Sequence, residues 1–244
     1  MRLLYVGRTF PTERIMSKTY KSLLVFGLVC LVLSLALPKE RVDVAQSVVL
    51  IQALDNSDPN KETVKWLGTG SFIADDLILT AGHIVKDTTY FNVIMPNGRV
   101  RPGFVEYQED PNLCDIGLIR VRLYESPPAL ALGDYHKLRV GDCAKILGFG
   151  LGEKPPTLTQ GIISCLSRTN PLGGKVSLLQ VDAAGYPGHS GSPVLDKHNR
   201  IMGIFVILHY GDESWSLCVP VDAIKLSLAK YRATKALKER GLTK

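Results

Sequence analysis

Short apolar segments bounded by turn residues recur along the chain from about residue 45 to residue 219. The chain has 244 residues, of which 45% are hydrophobic, and it includes 22 glycines and 14 prolines. Apolar runs of this length, separated by Gly, Pro, Asn and Asp, are typical of β-strands. The sequence therefore predicts an all-β fold. Its twelve strands are expected in two groups of six, near 45–54, 64–74, 77–80, 90–95, 99–108 and 116–122, and near 143–149, 159–166, 177–182, 193–196, 201–208 and 215–219.

The two groups of strands are separated by the stretch from Arg122 to Gly141, which contains a Ser-Pro-Pro run and a Leu-Gly-Asp turn. We interpret this stretch as the connection between two six-stranded antiparallel β-barrels, at about 41–122 and 141–220, within one domain over 41–224. Apolar residues then recur at helical spacing up to Tyr231. This spacing predicts a closing helix, which continues into a basic tail over 225–244.

A histidine and an aspartate each stand at the end of an apolar segment. His83 follows the strand pattern Leu77–Thr80 and two small residues, so its ring would be held where a strand ends. An imidazole titrates near neutral pH and can take and return a proton. Asp115 opens an apolar run in which an unpaired carboxylate would be costly to bury, so we expect it to have a partner. The alternatives are a core histidine and a turn aspartate.

A serine between two glycines is the third feature of this kind. In the segment 188–193, Gly-His-Ser-Gly-Ser-Pro, the glycines allow a backbone turn that directs the N–H groups of Gly188 and Ser190 at one point. Such a pair forms an oxyanion hole, which stabilises a carbonyl oxygen that becomes negative. The alternative is a plain Gly-Ser-Gly turn. A serine hydroxyl needs a base and a group that orients the base before it can attack, and His83 and Asp115 offer these parts.

The order His, Asp, Ser along the chain carries a family resemblance. The segments Thr80–His83, Asp115–Leu118 and 188–193 resemble those of chymotrypsin-like (trypsin-like) serine proteases. The lead-in Asp182–Gly191 and the segment Val219–Asp222 are most similar to the bacterial HtrA (Deg) branch. The resemblance covers about residues 44–224. Proteins of that branch typically carry PDZ domains; we expect none in this sequence, because the residues after 224 are too few for one.

The resemblance implies a function and a site. The fold would be the chymotrypsin-like pair of barrels, and the activity that of a serine endopeptidase acting through an acyl-enzyme. Ser190 would be the nucleophile, His83 the base and Asp115 the residue that orients the base, while Gly188 and Ser190 supply the oxyanion hole. Neither a cofactor nor a metal is expected.

The resemblance also implies a substrate pocket. Ala184, six residues before Ser190, would line the pocket for the substrate residue that precedes the cut bond. Val206 and Leu208 would form the opposite wall. With branched side chains there and no charge at its base, the pocket is expected to be shallow and to favour small aliphatic residues such as valine or alanine.

Two residues beside the nucleophile depart from the family pattern. Ser192 stands where glycine is usual, so its side chain must find room beside the nucleophile strand. His189 stands where trypsin-type zymogens carry an aspartate, which argues against activation by cleavage of an N-terminus. Neighbouring side chains point opposite ways along an extended segment. We therefore expect His189, although it adjoins Ser190, to have a structural role.

The net charge of +6 is concentrated at the two ends of the chain. Residues 1–40 hold six Lys and Arg against two Asp and Glu, and residues 221–244 hold seven against two. The domain between them holds sixteen against nineteen, which gives no support for nucleic-acid binding. The basic C-terminal tail is either a solvated end or a contact for anionic lipid or phosphate. The expected partners are protein or peptide substrates, and the sequence does not indicate an oligomeric state.

An apolar segment near the N-terminus predicts export. The chain is uncharged from Ser22 to Pro38, with Lys18 and Lys21 before it. The apolar centre, as a helix, would span ~22 Å, less than the ~30 Å of a bilayer core, which is typical of a signal peptide. An uncleaved membrane anchor is the alternative. Both predict a domain outside the inner membrane, tethered or released, with translation starting at Met1 or Met16.

The chain has five cysteines, one of which, Cys30, lies in that apolar segment. Cys143 and Cys165 fall on neighbouring predicted strands, so a cross-strand disulfide is one expectation and two free thiols the other. Cys114 is expected to be a small buried residue. No Cys-x-x-Cys or His-x-x-x-His pair occurs, and the sequence therefore predicts no metal site.

Two other classes of function compete with the endopeptidase. A catalytically silent relative would keep the same fold and bind extended peptides in its cleft without turnover. An esterase on another fold would need a Gly-x-Ser-x-Gly elbow and the order Ser, Asp, His. Here Ser192 replaces the second glycine of such an elbow, and the order is reversed. The sequence favours a serine endopeptidase, with the silent relative as the alternative.

Overall fold

The computed structural model of the chain describes Phe26 and residues 43–55, 63–110, 113–171, 173–209 and 215–242. Apart from Phe26, the segment predicted to direct export lies outside these residues. Across these ranges, no helix is both long enough and apolar enough to cross a membrane.

The first barrel is built from six short strands around an apolar interior. Alternate side chains of each strand point inward, and Phe72, Phe91 and Ile119 are fully buried there. A four-residue helix, α1 (Gly82–Val85), follows the third strand. The strands are β1 (Val48–Asp55), β2 (Thr63–Ala74), β3 (Leu77–Thr80), β4 (Tyr90–Ile94), β5 (Val100–Gln108) and β6 (Gly117–Val121). They close in the order β1-β2-β3-β6-β5-β4, with antiparallel neighbours throughout.

The second barrel repeats this plan with its own core, in which Ile146, Ile163 and Phe205 are almost fully buried. Its strands close in the order β10-β11-β12-β9-β8-β7, where β7 is Cys143–Gly148, β8 is Thr157–Arg168, β9 is Leu178–Asp182, β10 is Pro193–Leu195, β11 is Ile201–His209 and β12 is Trp215–Pro220. The C-terminal helix α2 (Val221–Glu239) follows directly. Short 3-10 turns lie at Val44–Ser47, Tyr135–Lys137 and Gly150–Gly152.

The prediction of an all-β fold with two six-stranded antiparallel barrels and a C-terminal helix is confirmed. The helix begins at Val221, immediately after Pro220, which adopts an extended conformation and ends β12. Proline has no N–H to donate, so it fits at a helix start, where N–H groups have no partner within the helix. Ile224, Leu228 and Tyr231, the three residues at helical spacing, are buried.

The disulfide considered for Cys143 and Cys165 is not formed. Both thiols are free, as are those of Cys114 and Cys218. Cys143 lies opposite Ile162 on β8, three residues away from Cys165, and Cys165 lies opposite Gln180 on β9. Because a disulfide needs its two residues directly paired or nearly so, this register separates the two thiols.

Candidate active site

The register of β3 against β6 brings His83 and Asp115 to one end of the first barrel. Thr80, the last residue of β3, lies opposite Gly117, the first residue of β6. His83 follows Thr80 by three residues, and Asp115 precedes Gly117 by two. Because the strands are antiparallel, the end of β3 lies beside the start of β6, and the two residues that flank these ends lie close together.

Two hydrogen bonds join these residues. The Nδ1 atom of His83 lies 2.6 Å from Oδ2 of Asp115, and the backbone N–H of His83 donates to Oδ1 at 2.6 Å. Gly82 leaves the room for this contact, since a Cβ atom there would lie 2.9 Å from Oδ1. The carboxylate therefore fixes the position of both the backbone and the ring of His83. It also keeps a proton on Nδ1, which leaves Nε2 as the acceptor.

The turn that carries Ser190 depends on two glycines with positive φ. Gly188 has φ +95° and Gly191 has φ +86°, in the region that favours glycine. A Cβ atom at Gly188 would lie 2.5 Å from the carbonyl oxygen of Phe149, and one at Gly191 would overlap the carbonyl oxygen of Thr69. Backbone conformation and close packing thus both require glycine at positions 188 and 191.

Thr69 of β2 connects this turn to the first barrel. Its backbone N–H donates to the carbonyl of Ser190 at 2.8 Å, and its hydroxyl donates to the carbonyl of Gly188 at 2.8 Å. The same hydroxyl accepts from the N–H of Phe149 at 3.0 Å. Thr69 is not among the site residues predicted from the sequence. Its signal was the pair of glycines that flank it within a strand, Gly68 and Gly70, because glycine inside a strand marks a close approach of backbones.

The two proposed oxyanion donors are available. Within the part of the chain that the structure describes, the N–H groups of Gly188 and Ser190 donate to no carbonyl or side chain. In the same described part, no hydrogen bond joins the Ser190 hydroxyl to the His83 ring. Such bonds are often long in an enzyme without substrate and shorten when substrate binds.

His189 lies inside the second barrel. Its ring accepts from the N–H of Tyr186 through Nδ1 at 3.3 Å, and its Nε2 lies 3.4 Å from the hydroxyl of Thr157. The ring is packed edge-on against those of Tyr186 and Phe205. Burial lowers its pKa below the ordinary histidine value. These contacts tie the turn before Ser190 to the barrel interior.

The side chain of Ser192 occupies the space beside Gly148 of β7. Its side chain is fully buried, and a Cβ atom at Gly148 would overlap its Oγ atom. Among the described residues that hydroxyl has no hydrogen-bond partner. A glycine on β7 therefore accommodates the serine that departs from the family pattern.

The residues expected to line the substrate pocket differ in exposure. Ala184 is exposed, whereas Val206 is buried at a bulge of β11. Leu208 pairs with Ser216 through the backbone, and its side chain lies outside the described residues. Phe205 is not among the pocket residues predicted from the sequence. Its ring lies so close to Gly185 that a Cβ atom there would be 2.5 Å from it.

Comparison with known proteins identifies the family of this chain. The family model described as the trypsin-like peptidase domain matches residues 68–204, which include His83, Asp115 and Ser190. The chain belongs to the trypsin-like peptidase family. Its relatives lie in the HtrA (Deg) branch of that family, as the resemblance implied.

Three relatives illustrate the extent of this similarity. A probable periplasmic serine endoprotease of the DegP-like type from Halomonas elongata is 32% identical over 169 residues, which are 67% of this chain and 34% of the relative. The corresponding protein of Bartonella henselae is 29% identical over 180 residues, 71% of this chain and 35% of the relative. The periplasmic pH-dependent serine endoprotease DegQ of Escherichia coli is 30% identical over 155 residues, 62% and 33% respectively. The chain spans less than half the length of the curated relatives it matches.

Proposed function

We propose that this member of the trypsin-like peptidase family is a serine endopeptidase with Ser190 as its nucleophile. The observation that carries the proposal is the double hydrogen bond between Asp115 and His83, each at 2.6 Å. A histidine oriented in this way presents an unprotonated Nε2 to a hydroxyl. That is the requirement for activating a serine at neutral pH.

The mechanism follows from the roles of these atoms. Nε2 of His83 takes the proton of Ser190 as Oγ attacks the peptide carbonyl, and the Asp115 carboxylate stabilises the imidazolium that forms. The N–H groups of Gly188 and Ser190 donate to the carbonyl oxygen as it becomes negative. His83 then gives its proton to the leaving amine, and water hydrolyses the acyl-enzyme by the same steps in reverse order.

A fluorophosphonate probe tests the assignment of Ser190, because it reacts only with an activated serine. Wild type should be labelled, and Ser190→Ala should not. Ser192→Ala is the matched control: the two serines lie two residues apart, and Ser192 is buried outside the proposed chemistry. Equal labelling of wild type and Ser190→Ala would refute the assignment. Peptide binding by an unlabelled wild type would favour the catalytically silent relative.

The pocket for the substrate residue that precedes the cut bond supports a preference for small aliphatic residues. The ring of Phe205 and the hydroxyl of Ser216, which donates to the carbonyl of Ala183 at 2.7 Å, both approach Gly185 closely. These groups occupy space that a deep pocket would need. A peptide library cleaved by wild type should therefore give mainly products that end in valine or alanine. Products ending mainly in lysine, arginine or phenylalanine would contradict the preference.

An apolar groove beside Gly188 supports an extended substrate rather than a small ester. The groove has a volume of about 570 Å³, and its lining includes Trp66, Leu67, Leu151 and Pro187. Trp66 is 53% exposed and Leu151 64% exposed, so both present apolar surface to a ligand. A peptide that continues past the cut bond would cover this surface. Removing those substrate residues should lower kcat/KM.

We place the enzyme outside the inner membrane, with the apolar N-terminal segment as its export signal or anchor. The charge pattern of that segment and the word periplasmic in the names of several relatives support this location. Mass spectrometry of fractionated cells should find the chain outside the cytosol. A soluble cytosolic chain with an intact Met1 or Met16 would refute the proposal.

A further inference from the structure

The helix α2 follows the second barrel in sequence but binds the first barrel through its polar side chains. Lys235 pairs with Glu106 of β5 at 3.4 Å, and Tyr231 donates to the same carboxylate. Five residues before Lys235, Lys230 pairs with Glu109 at 3.2 Å. The helix therefore holds two carboxylates of the first barrel, of which Glu109 is the one nearer in sequence to Asp115.

Glu109 is the more deeply buried of the two, with 6% of its side chain exposed. Its carboxylate accepts from the hydroxyl of Ser227 at 2.7 Å and from that of Tyr107 at 3.0 Å, in addition to the ammonium of Lys230. A buried carboxylate is stable only when it is paired in this way. Three donors from two elements thus fix the position of this side chain.

The backbone of Glu109 closes the loop that carries Asp115. Its N–H donates to the carbonyl of Ile116 at 3.0 Å, and within the loop the N–H of Cys114 donates to the carbonyl of Asp110 at 2.9 Å. Asp115 directly precedes Ile116. Glu109, whose side chain is bound by α2, is therefore hydrogen-bonded through its backbone to Ile116, the residue next to Asp115.

We propose that Glu109 is a positioning residue for Asp115, and that Ser227 and Lys230 of the C-terminal helix hold it in place. The proposal rests on the proposed function, in which Asp115 orients His83. Because the helix continues from β12, this contact also couples the barrel that carries Ser190 to the loop that carries Asp115. The alignment of the Asp115 carboxylate with His83 thus depends on the contacts that Ser227 and Lys230 of α2 make with Glu109.

The test removes the helix-side contacts and leaves Glu109 in place. In the double variant Ser227→Ala, Lys230→Met, kcat for a peptide substrate should fall ~10- to 100-fold, with KM nearly unchanged, since small misplacements of catalytic groups have effects of this size. The downfield proton NMR resonance of Nδ1–H of His83 should shift or broaden. Lys230→Arg, which keeps the positive charge, should retain much of the wild-type kcat. Glu109→Gln should give the same signature where it folds.

Lys235→Met is the matched control, since Lys235 lies on the same helix, is 45% exposed against 43% for Lys230, and pairs with Glu106 instead. It should leave both kcat and the resonance unchanged. Wild-type kcat and an unshifted resonance in the double variant would overturn the proposal, as would an equal loss in Lys235→Met. The resonance does not require turnover. Failure of the probe to label wild type would therefore count against the proposed function alone.

Discussion

The two barrels contribute to the candidate site by different physical means. The first barrel holds His83 through polar bonds, with one carboxylate accepting from both the ring and the backbone. The second barrel shapes its turn by the absence of side chains, because Gly188 and Gly191 have positive φ and lie against the backbones of Phe149 and Thr69. One half of the site is thus sensitive to changes of charge, and the other to added volume.

The difference predicts different kinds of damage. Exchanging an oxygen for nitrogen in the first barrel keeps the volume and changes the chemistry. Adding one methyl group in the second barrel keeps the charge and displaces the backbone. Variants that separate these effects either strengthen the comparison or break it.

Asp115→Asn should have the largest effect. The amide cannot accept from both His83 donors, so the ring would take the wrong tautomer and kcat should fall by ~10⁴ with little loss of stability. Steady-state kinetics and thermal unfolding measure the two quantities. Asp75→Asn, in an exposed turn of the same barrel, is the control and should retain wild-type activity. An Asp115→Asn enzyme with more than a few per cent of wild-type kcat would break the comparison.

Gly188→Ala should have the next largest effect. The methyl group would lie 2.5 Å from the carbonyl oxygen of Phe149, and the turn would have to move the N–H of residue 188. Loss of one oxyanion donor typically lowers kcat by ~10²–10³. The control is Gly141→Ala, because Gly141 has φ +92° but no atom within 4 Å of an added Cβ.

The control separates backbone strain from the site. Both variants should lose some thermal stability, since alanine is strained at positive φ. Only Gly188→Ala should lose activity. Equal kcat values for the two would show that the position of this N–H does not limit the reaction.

The sequence could predict the two barrels and the three motifs that the structure brings into the candidate site, because each depends on local pattern. Short apolar runs between turn residues predict the strands, and the order of His83, Asp115 and Ser190 follows from the motifs themselves. Contacts between distant segments carry no pattern that names both partners: Gly68 and Gly70 mark a close approach at Thr69 but do not show which residue it meets. Glu109 with Ser227 and Lys230, or Thr69 with Gly188, are joined only when the chain has folded. The absence of a disulfide between Cys143 and Cys165 could not be predicted for the same reason. Strand register is set only when the chain has folded, and Cys143 lies opposite Ile162, three residues from Cys165.

The pair Gly148 and Ser192 tests the steric half of the comparison by itself. Gly148→Ala would bring a methyl group onto the Ser192 side chain and should cost ~1–3 kcal/mol, as overpacking of a core does. Ser192→Gly removes the obstructing atoms, so the double variant should recover part of this loss. Recovery is incomplete because Thr69 Oγ1 would still lie 2.9 Å from the added carbon.

A double-mutant cycle on urea unfolding measures this coupling. Residues in contact typically show an interaction energy of ~0.5–3 kcal/mol, whereas independent sites add. Additive losses would mean that Gly148 and Ser192 do not constrain each other. Ser192→Gly alone should be close to neutral, because the buried hydroxyl it removes has no partner among the described residues.

The pH dependence of unfolding should give the smallest effect and again separates the barrels. In the second barrel, burial lowers the pKa of His189, so below its ordinary value of ~6.5 the unfolded chain binds a proton that the native chain does not. In the first barrel, burial opposes ionisation of Glu106, but hydrogen bonds from Arg120 and Tyr231 outweigh burial and lower its pKa to about 2. As the pH falls, His189 therefore begins to lower the free energy of unfolding at a higher pH than Glu106 does.

Urea unfolding of wild type between pH 7.5 and pH 3 should therefore show two declines. The first begins as the pH falls through ~6.5 and continues toward the lowered pKa of His189, since stability rises with pH wherever the unfolded state binds more protons. The second begins near 4.5, the ordinary pKa of a glutamate, and continues toward 2. His189→Gln should abolish the first decline and keep the second. A first decline that persists in this variant would assign it to another group and remove the distinction between the barrels in their response to pH.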